Sequence, residues 1–460
     1  MIWCLFLSLV TFAFFNYKIS GTDLFNPAVL VSTTFCIFSF FCCLANIYIG
    51  IDIDTTLIFL VIGTGIGIFT IVEYLFGQKT QVGLANYKKI NIGNANVNKI
   101  WMLTGIIVLL LTIYVNYKYI MAFGAAYGAG GDFASAAVQY KVITTIYDND
   151  AILLPSPWYR NYLSVAAYAF AYLSAYLFLR EKVLRKKFSI FPFFIIILFA
   201  IYTLMGAGRS TFFQFITALL FLWYIFLKNS NATTISNKKI IFKLIIILSF
   251  VCVICILLFY LIGRTQNDLS LDNVMSSLFV YAGAPIFNLD IYLQNPWKQT
   301  HGLFGELTFI KLINWIGIKF DISSFIYELD LPFLSYQNYA LGNVYTTFYA
   351  FYYDFQFLGV VFLTLFMAIF SIWLYNKVRN EDLRKAHISL VTILYSYLVN
   401  DLIMLAFSNR FYETITDVGI YYKILLLSCM VYCINKFSLT FDRKGLRLMK
   451  IKNGGKRDGE

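Results

Sequence analysis

Phe357-Leu-Gly-Val-Val-Phe-Leu-Thr-Leu-Phe-Met-Ala-Ile-Phe-Ser-Ile-Trp-Leu-Tyr-Asn376 carries no charge along its length and is followed at once by Lys377 and Arg379. A helix of about twenty such residues crosses the ~30 Å of hydrocarbon in a bilayer. Basic residues just past the end mark the cytoplasmic side of such a helix. The segment before it, Asn343-Val-Tyr-Thr-Thr-Phe-Tyr-Ala-Phe-Tyr-Tyr-Asp354, is dense in aromatic rings but interrupted by polar groups and an acid. The boundary at Gln356 therefore separates a membrane span from a stretch of different character that reaches back to Arg264.

Outward from that boundary, the rest of the chain reads as more span. Apolar residues make up 60% of the 460 and charged residues 13%, where a soluble domain carries about 25% charged. The apolar runs predict eleven spans, at about 2–17, 27–47, 56–76, 100–122, 161–179, 189–206, 211–227, 244–263, 357–376, 387–407 and 414–434. The fold class is all-α: a polytopic membrane protein forming one transmembrane domain over 1–460, with no separate soluble domain. The first run lacks the basic flank and small-residue cleavage site of a signal peptide and reads as a span. No internal repeat is visible, which weighs against transporters assembled from repeated halves.

The net charge of +12 does not point to nucleic acid, because of where it lies. Alternate connections and the basic tail at 435–460 hold 26 of the 36 Lys and Arg residues. By the positive-inside rule, the N-terminus is then outside, the C-terminus is cytoplasmic, and two long loops (123–160 and 264–356) face outward. The eight cysteines all fall in apolar runs, so Cys252-x-x-Cys255 reads as lipid- or core-facing thiol rather than a redox or zinc motif. In the larger loop, residues 274–293 read as a re-entrant or surface helix because of Pro285, Asn288 and Asp290. Leu303 to Ile318 reads as an interfacial helix. Phe123-Gly-Ala-Ala-Tyr-Gly-Ala-Gly-Gly-Asp132 reads as a flexible entry to the other loop.

Candidate chemistry gathers on the outward side. Arg209 in Gly206-Ala-Gly-Arg-Ser, Arg264 in Leu261-Ile-Gly-Arg and Arg410 in Phe407-Ser-Asn-Arg each stand at the outward end of a span, where basic residues should be scarce. A guanidinium presents five donors in a fork that fits phosphate oxygens. The three together point to a phosphate or pyrophosphate site, the alternative being arginines that cap helices at the interface. His301 is the outward histidine and fits a general base for a sugar hydroxyl. Asp290 and Glu306 are competitors for that role, or would orient the imidazole. Tyr345, Tyr349 and Tyr352 suit stacking on sugar rings, and an aromatic belt at the interface explains the same residues. No spacing of ligands suggests a metal, and no nucleotide-binding fingerprint occurs.

Several of these features together resemble the bacterial O-antigen polymerases, which join oligosaccharide repeat units. They are Asp23-Leu-Phe-Asn-Pro27 before the second span, the Gly-Arg-Ser at 208–210, the Gly-Arg at 263–264, and the large loop with Asn295-Pro, His301-Gly, Gly305-Glu, Gly342-Asn-Val-Tyr-Thr-Thr and Asp354-Phe. The paired arginine–glycine repeats of some members are missing at their spacing. The resemblance implies a metal-independent inverting glycosyltransferase without a cofactor, in the bacterial inner membrane, with 264–356 as a periplasmic loop carrying short interfacial helices. Its partners would be undecaprenyl-pyrophosphate-linked oligosaccharide, membrane lipid and a chain-length regulator protein. A lipid-linked oligosaccharide flippase and an O-antigen ligase are the rival readings.

Overall fold

The computed structural model describes residues 1–77, 97, 99–146, 154–206, 210–230, 243, 271–298, 301–327, 331–337, 339–442 and 445–450. Among these, eight helices are long and apolar enough to cross a membrane, and two shorter apolar helices accompany them. The architecture is that of an all-helical polytopic membrane protein, with short strands only in two hairpins among the described residues. The expected eighth span, 244–263, lies outside the described residues.

Contacts divide the chain into two compact units. The first comprises Met1–Ala85, Asn237–Asn380 and Leu398–Val418. It opens with α1 (Ile2–Ile19), α2 (Pro27–Ile49) and α3 (Leu57–Phe76), and α1 packs along α2. The start of α2 is written locally: Pro27 stands in the first turn, and Asn26 caps the helix by accepting the Ala28 amide at 3.0 Å. Gly50, left-handed at φ +71°, ends it. The Asp-Leu-Phe-Asn-Pro stretch is thus a turn and a helix cap.

The region expected as a loop, 264–356, contains more helix than the sequence suggested. The helix α9 (Leu271–Gln294) continues through Pro285 and packs along α2. It is not a surface helix: from Val280 onward most of its side chains are buried, Asn288 and Leu289 completely. Beyond it, the described residues between 295 and 346 form a cap built of α10 (Ile310–Phe320), a 3-10 turn at Ser323–Phe325 and a hairpin of β1 (Leu334–Tyr336) and β2 (Tyr339–Gly342).

The next helix, α11 (Thr347–Arg379), is two limbs. Gln356 has φ 54° and ψ −147°, and there the chain turns back. A Cβ on Gly359 would meet the carbonyl oxygen of Phe351 and the Cβ of Phe355. A continuous helix would hold residues eight apart about 12 Å from each other. The expected loop-to-span boundary at Gln356 is therefore the tip of a helical hairpin. Its first limb, Thr347–Phe355, is largely buried, with Phe348 stacked on Phe35 of α2 at 5.2 Å. Its second limb runs along α3, where Asn376 donates to the Phe76 carbonyl. Tyr412, in the short α13 (Arg410–Thr416), fastens the hairpin: its ring meets Phe351 at 5.3 Å and its hydroxyl donates to the Leu363 carbonyl at 2.8 Å.

The second unit comprises Asn86–Ser236, Glu381–Tyr397 and Gly419–Glu460. Its helices are α4 (Lys99–Ala126), α5 (Phe133–Ile146), α6 (Trp158–Leu184), α7 (Ile190–Leu204) and α8 (Ser210–Asn229). The glycine-rich entry is shorter than expected, since α4 runs on to Ala126 and Asp132 caps α5 through the Ser135 amide. At the other end of α6, buried Arg180 donates to the carbonyls of Leu383 and Lys385 and so holds the segment that follows α11. The helix α12 (Leu390–Ile403) spans the boundary between the units in sequence. The last helix, α14 (Val418–Lys436), leads into the described part of the basic tail, an antiparallel hairpin of β3 (Phe437–Asp442) and β4 (Gly445–Lys450).

Candidate functional site

The cap of the first unit is fastened by two carboxylates. Asp354, near the end of the first limb of α11, accepts the amides of Leu307 at 3.1 Å and Thr308 at 2.6 Å. Glu306, 4% exposed, accepts the main-chain N–H of His301 at 2.8 Å on one oxygen and the Tyr353 hydroxyl at 3.2 Å on the other. Its own carbonyl accepts the Tyr327 hydroxyl at 2.7 Å. Gly305, at φ +66°, makes the turn that aims Glu306 inward and packs against Phe309 and Phe355. Charge-assisted bonds of this kind are among the stronger ones available to a loop.

His301 is exposed, and its ring stacks on Tyr327 with centroids 4.5 Å apart. Burial, followed by the nearby Glu306 and Asp354, pushes the Tyr327 hydroxyl well above the ordinary tyrosine range, so it stays a donor. Lys298, also exposed, holds its ammonium over the Tyr353 ring at 5.7 Å. Tyr353, Glu306, His301 and Tyr327 are linked by direct contacts. Buried Glu306 thus joins two tyrosines, one with an exposed imidazole stacked on its ring and the other with an exposed ammonium over its ring. That arrangement can take a proton from a hydroxyl at His301 and attract an anionic group at Lys298.

The other expected site residues divide into several groups. Arg410 connects to the same network through its neighbour Asn409, which accepts from the Thr347 hydroxyl at 3.2 Å and donates to the Thr308 carbonyl at 3.5 Å. Arg410 itself is 43% exposed and pairs with Glu413 at 3.0 Å. Asp290 stands on a separate network. Buried in α9, it accepts the amides of Asp54 and Thr55 at the start of α3 and the side chain of Gln294, which occupies both its oxygens. Tyr345 and Tyr349 are each 3% exposed and stack on one another at 4.2 Å. The Tyr345 hydroxyl donates to the Pro332 carbonyl. These two rings pack inside the unit, with Tyr292 and Trp297 against them. Tyr352 is half-buried. Arg209 and Arg264 lie outside the described residues.

Lys298, Tyr327, Tyr353 and Asp354 did not stand out in the sequence as site residues. In the sequence Asp354 is legible as the acid that closes the aromatic run and as part of the Asp354-Phe pair. Asn288 is a further case, since its amide donates to the Gly342 and Val344 carbonyls and ties the hairpin of the cap to α9. Compared with known proteins, the chain matches no family model, no curated protein and no solved structure.

Proposed function

We propose that this chain is a glycan polymerase of the O-antigen type, working at the periplasmic face of a bacterial inner membrane. It would transfer a growing glycan from undecaprenyl pyrophosphate to the hydroxyl of a new lipid-linked repeat unit, inverting the anomeric centre without a metal ion. The observation that carries the reading is the exposed His301 imidazole, stacked on Tyr327 and held at its main chain by buried Glu306, in a chain built of apolar helices. His301 would accept the acceptor proton, while Glu306 holds the loop at His301 by its main chain. Arg410 would carry the pyrophosphate, whose developing charge needs electrostatic stabilisation more than covalent help, and Arg209 and Arg264 stay candidates for that role from the sequence alone. In this reading Asp290 keeps the start of α3 in shape, half-buried Tyr352 is the tyrosine that meets a sugar, and Tyr345 and Tyr349 pack inside the unit.

Glycan analysis of a strain lacking this protein tests the proposal. Lipid cores capped by a single repeat unit are the expected result. Loss of all antigen with lipid-linked polymer retained would indicate a ligase, and repeat units held in the cytoplasm would indicate a flippase.

A further inference from the structure

The second unit holds an arginine, Arg160, that forms no ion pair among the described residues. Arg160 stands in the first turn of α6. Its Nε and Nη2 donate to Asn116 Oδ1 at 3.1 and 2.9 Å, Nη2 also to the Tyr140 hydroxyl at 3.2 Å, and Nη1 to Ser156 Oγ at 3.2 Å. The guanidinium lies over the Tyr119 ring at 4.0 Å, and the Tyr119 hydroxyl is fixed by the Leu154 carbonyl. Four of the five guanidinium N–H groups are used, which leaves one on Nη1. Every acceptor is neutral, so the cage orients the charge without neutralising it. Among the described acids of this unit, Asp132 is engaged with Ser135, Glu181 with Arg185, Glu381 with Thr392 and Asp382 with Arg384.

The helix end adds to the same field. A helix N-terminus is the positive end of its dipole and favours anions, so a cation is unfavourable there. The first turn of α6 has no acidic residue and no side-chain cap. Trp158, Tyr159 and Tyr162 in the same turns are 74%, 44% and 68% exposed. Aromatic side chains of this kind settle at the headgroup level of a bilayer, which is the level of lipid phosphates. A cation there that no described acid balances favours an anion from outside the chain, and a guanidinium fork fits phosphate oxygens.

The geometry points to Arg160 as the anchor of a phosphate site that takes the phosphate group of a membrane lipid, with the open N–H on Nη1 and the uncapped first turn of α6 facing that group. This site involves none of the residues assigned above and does not depend on the glycosyl-transfer reading. Asn116, Tyr140 and Ser156 are positioning residues, and Ser156, being exposed, is the one an incoming oxygen can displace.

The test is native mass spectrometry of the full-length protein in detergent, titrated with phosphatidylglycerol, a polyprenyl phosphate, inorganic phosphate and uncharged diacylglycerol. Arg160→Ala and Arg160→Gln should weaken retention of the phosphate-bearing lipids about ten- to a hundredfold. Arg160→Lys should fall in between. The glutamine variant guards against a folding defect, because it can keep a bond to Asn116 while removing the charge; melting without lipid checks this. Equal loss for both lipids would identify any headgroup phosphate as the ligand, and loss for one alone would identify that lipid. Two results would overturn the site: retention of both lipids by the Ala and Gln variants at wild-type strength, or an Arg160-dependent response to inorganic phosphate alone.

Discussion

Glu306 Oε2 accepts the main-chain N–H of His301 at 2.8 Å, so the carboxylate grips the loop and leaves the imidazole outside. The two residues therefore have separable roles. His301→Ala should lower the rate of glycan transfer about 10²- to 10⁴-fold while donor binding is retained. His301→Gln should fail similarly, since an amide cannot take the proton. Transfer at the wild-type rate in both variants, with Glu306→Gln inactive, would assign the base to the carboxylate instead.

Glu306→Ala removes the acceptor for both the His301 amide and the Tyr353 hydroxyl. Leaving such buried groups unpaired costs ~1–3 kcal/mol, which should appear as a lower unfolding midpoint in detergent. Asp290→Ala should show a similar loss, because the amides of Asp54 and Thr55 lose their acceptors. If Asp290→Ala unfolded like the wild type, Asp290 would not be holding the start of α3.

Arg410 and Glu413 form an exposed pair three residues apart, and such pairs contribute only ~0.2–1 kcal/mol. Arg410→Ala should therefore leave the protein at its normal level in the membrane. Loss of polymer in that background would report chemistry rather than folding. Polymer of wild-type length would remove Arg410 from the pyrophosphate site.

Gly359→Ala tests the helical hairpin. A methyl group there meets the Phe351 carbonyl and the Phe355 side chain, and overpacking of this kind costs ~1–3 kcal/mol. Melting should fall, and proteolysis near Gln356 should accelerate. An unchanged melting curve would mean that the two limbs are not pressed together at this point.

What the sequence shows of the fold, and what it hides, has a physical basis. A helix that faces lipid must be apolar over about twenty residues, so α2 and α3 are legible as runs, and Asn26-Pro27 marks where one begins. The hairpin at Gln356 is not legible. The aromatic first limb and the apolar second limb are both helical, and a positive φ at glutamine has no glycine or proline at that position to announce it. Asn288 and Asp290 look like surface residues because a buried polar group is recognised only by its partners, which lie at Gly342, Val344, Asp54 and Thr55. For the same reason the aromatic run looked like a platform, whereas Tyr345 and Tyr349 spend their faces on each other. The exposure of His301 follows from Gly305 and Glu306, whose joint effect appears only once the cap is folded.

The orientation assigned from charge places Lys182 and Lys239 on one side and Gln299 on the other. Reporter fusions after Lys79, Lys182, Lys239 and Arg443 should read cytoplasm, and those at Asp148 and Gln299 periplasm. A cytoplasmic signal at Gln299 would put His301 on the wrong side of the membrane for the proposed reaction.

The most direct measurement is reconstitution. Purified protein in vesicles, given lipid-linked repeat units and a chelator, should yield a ladder of glycans that increase by one repeat unit, and His301→Ala should not. Repeat units that remain single, or that only cross the vesicle membrane unjoined, would contradict the assignment.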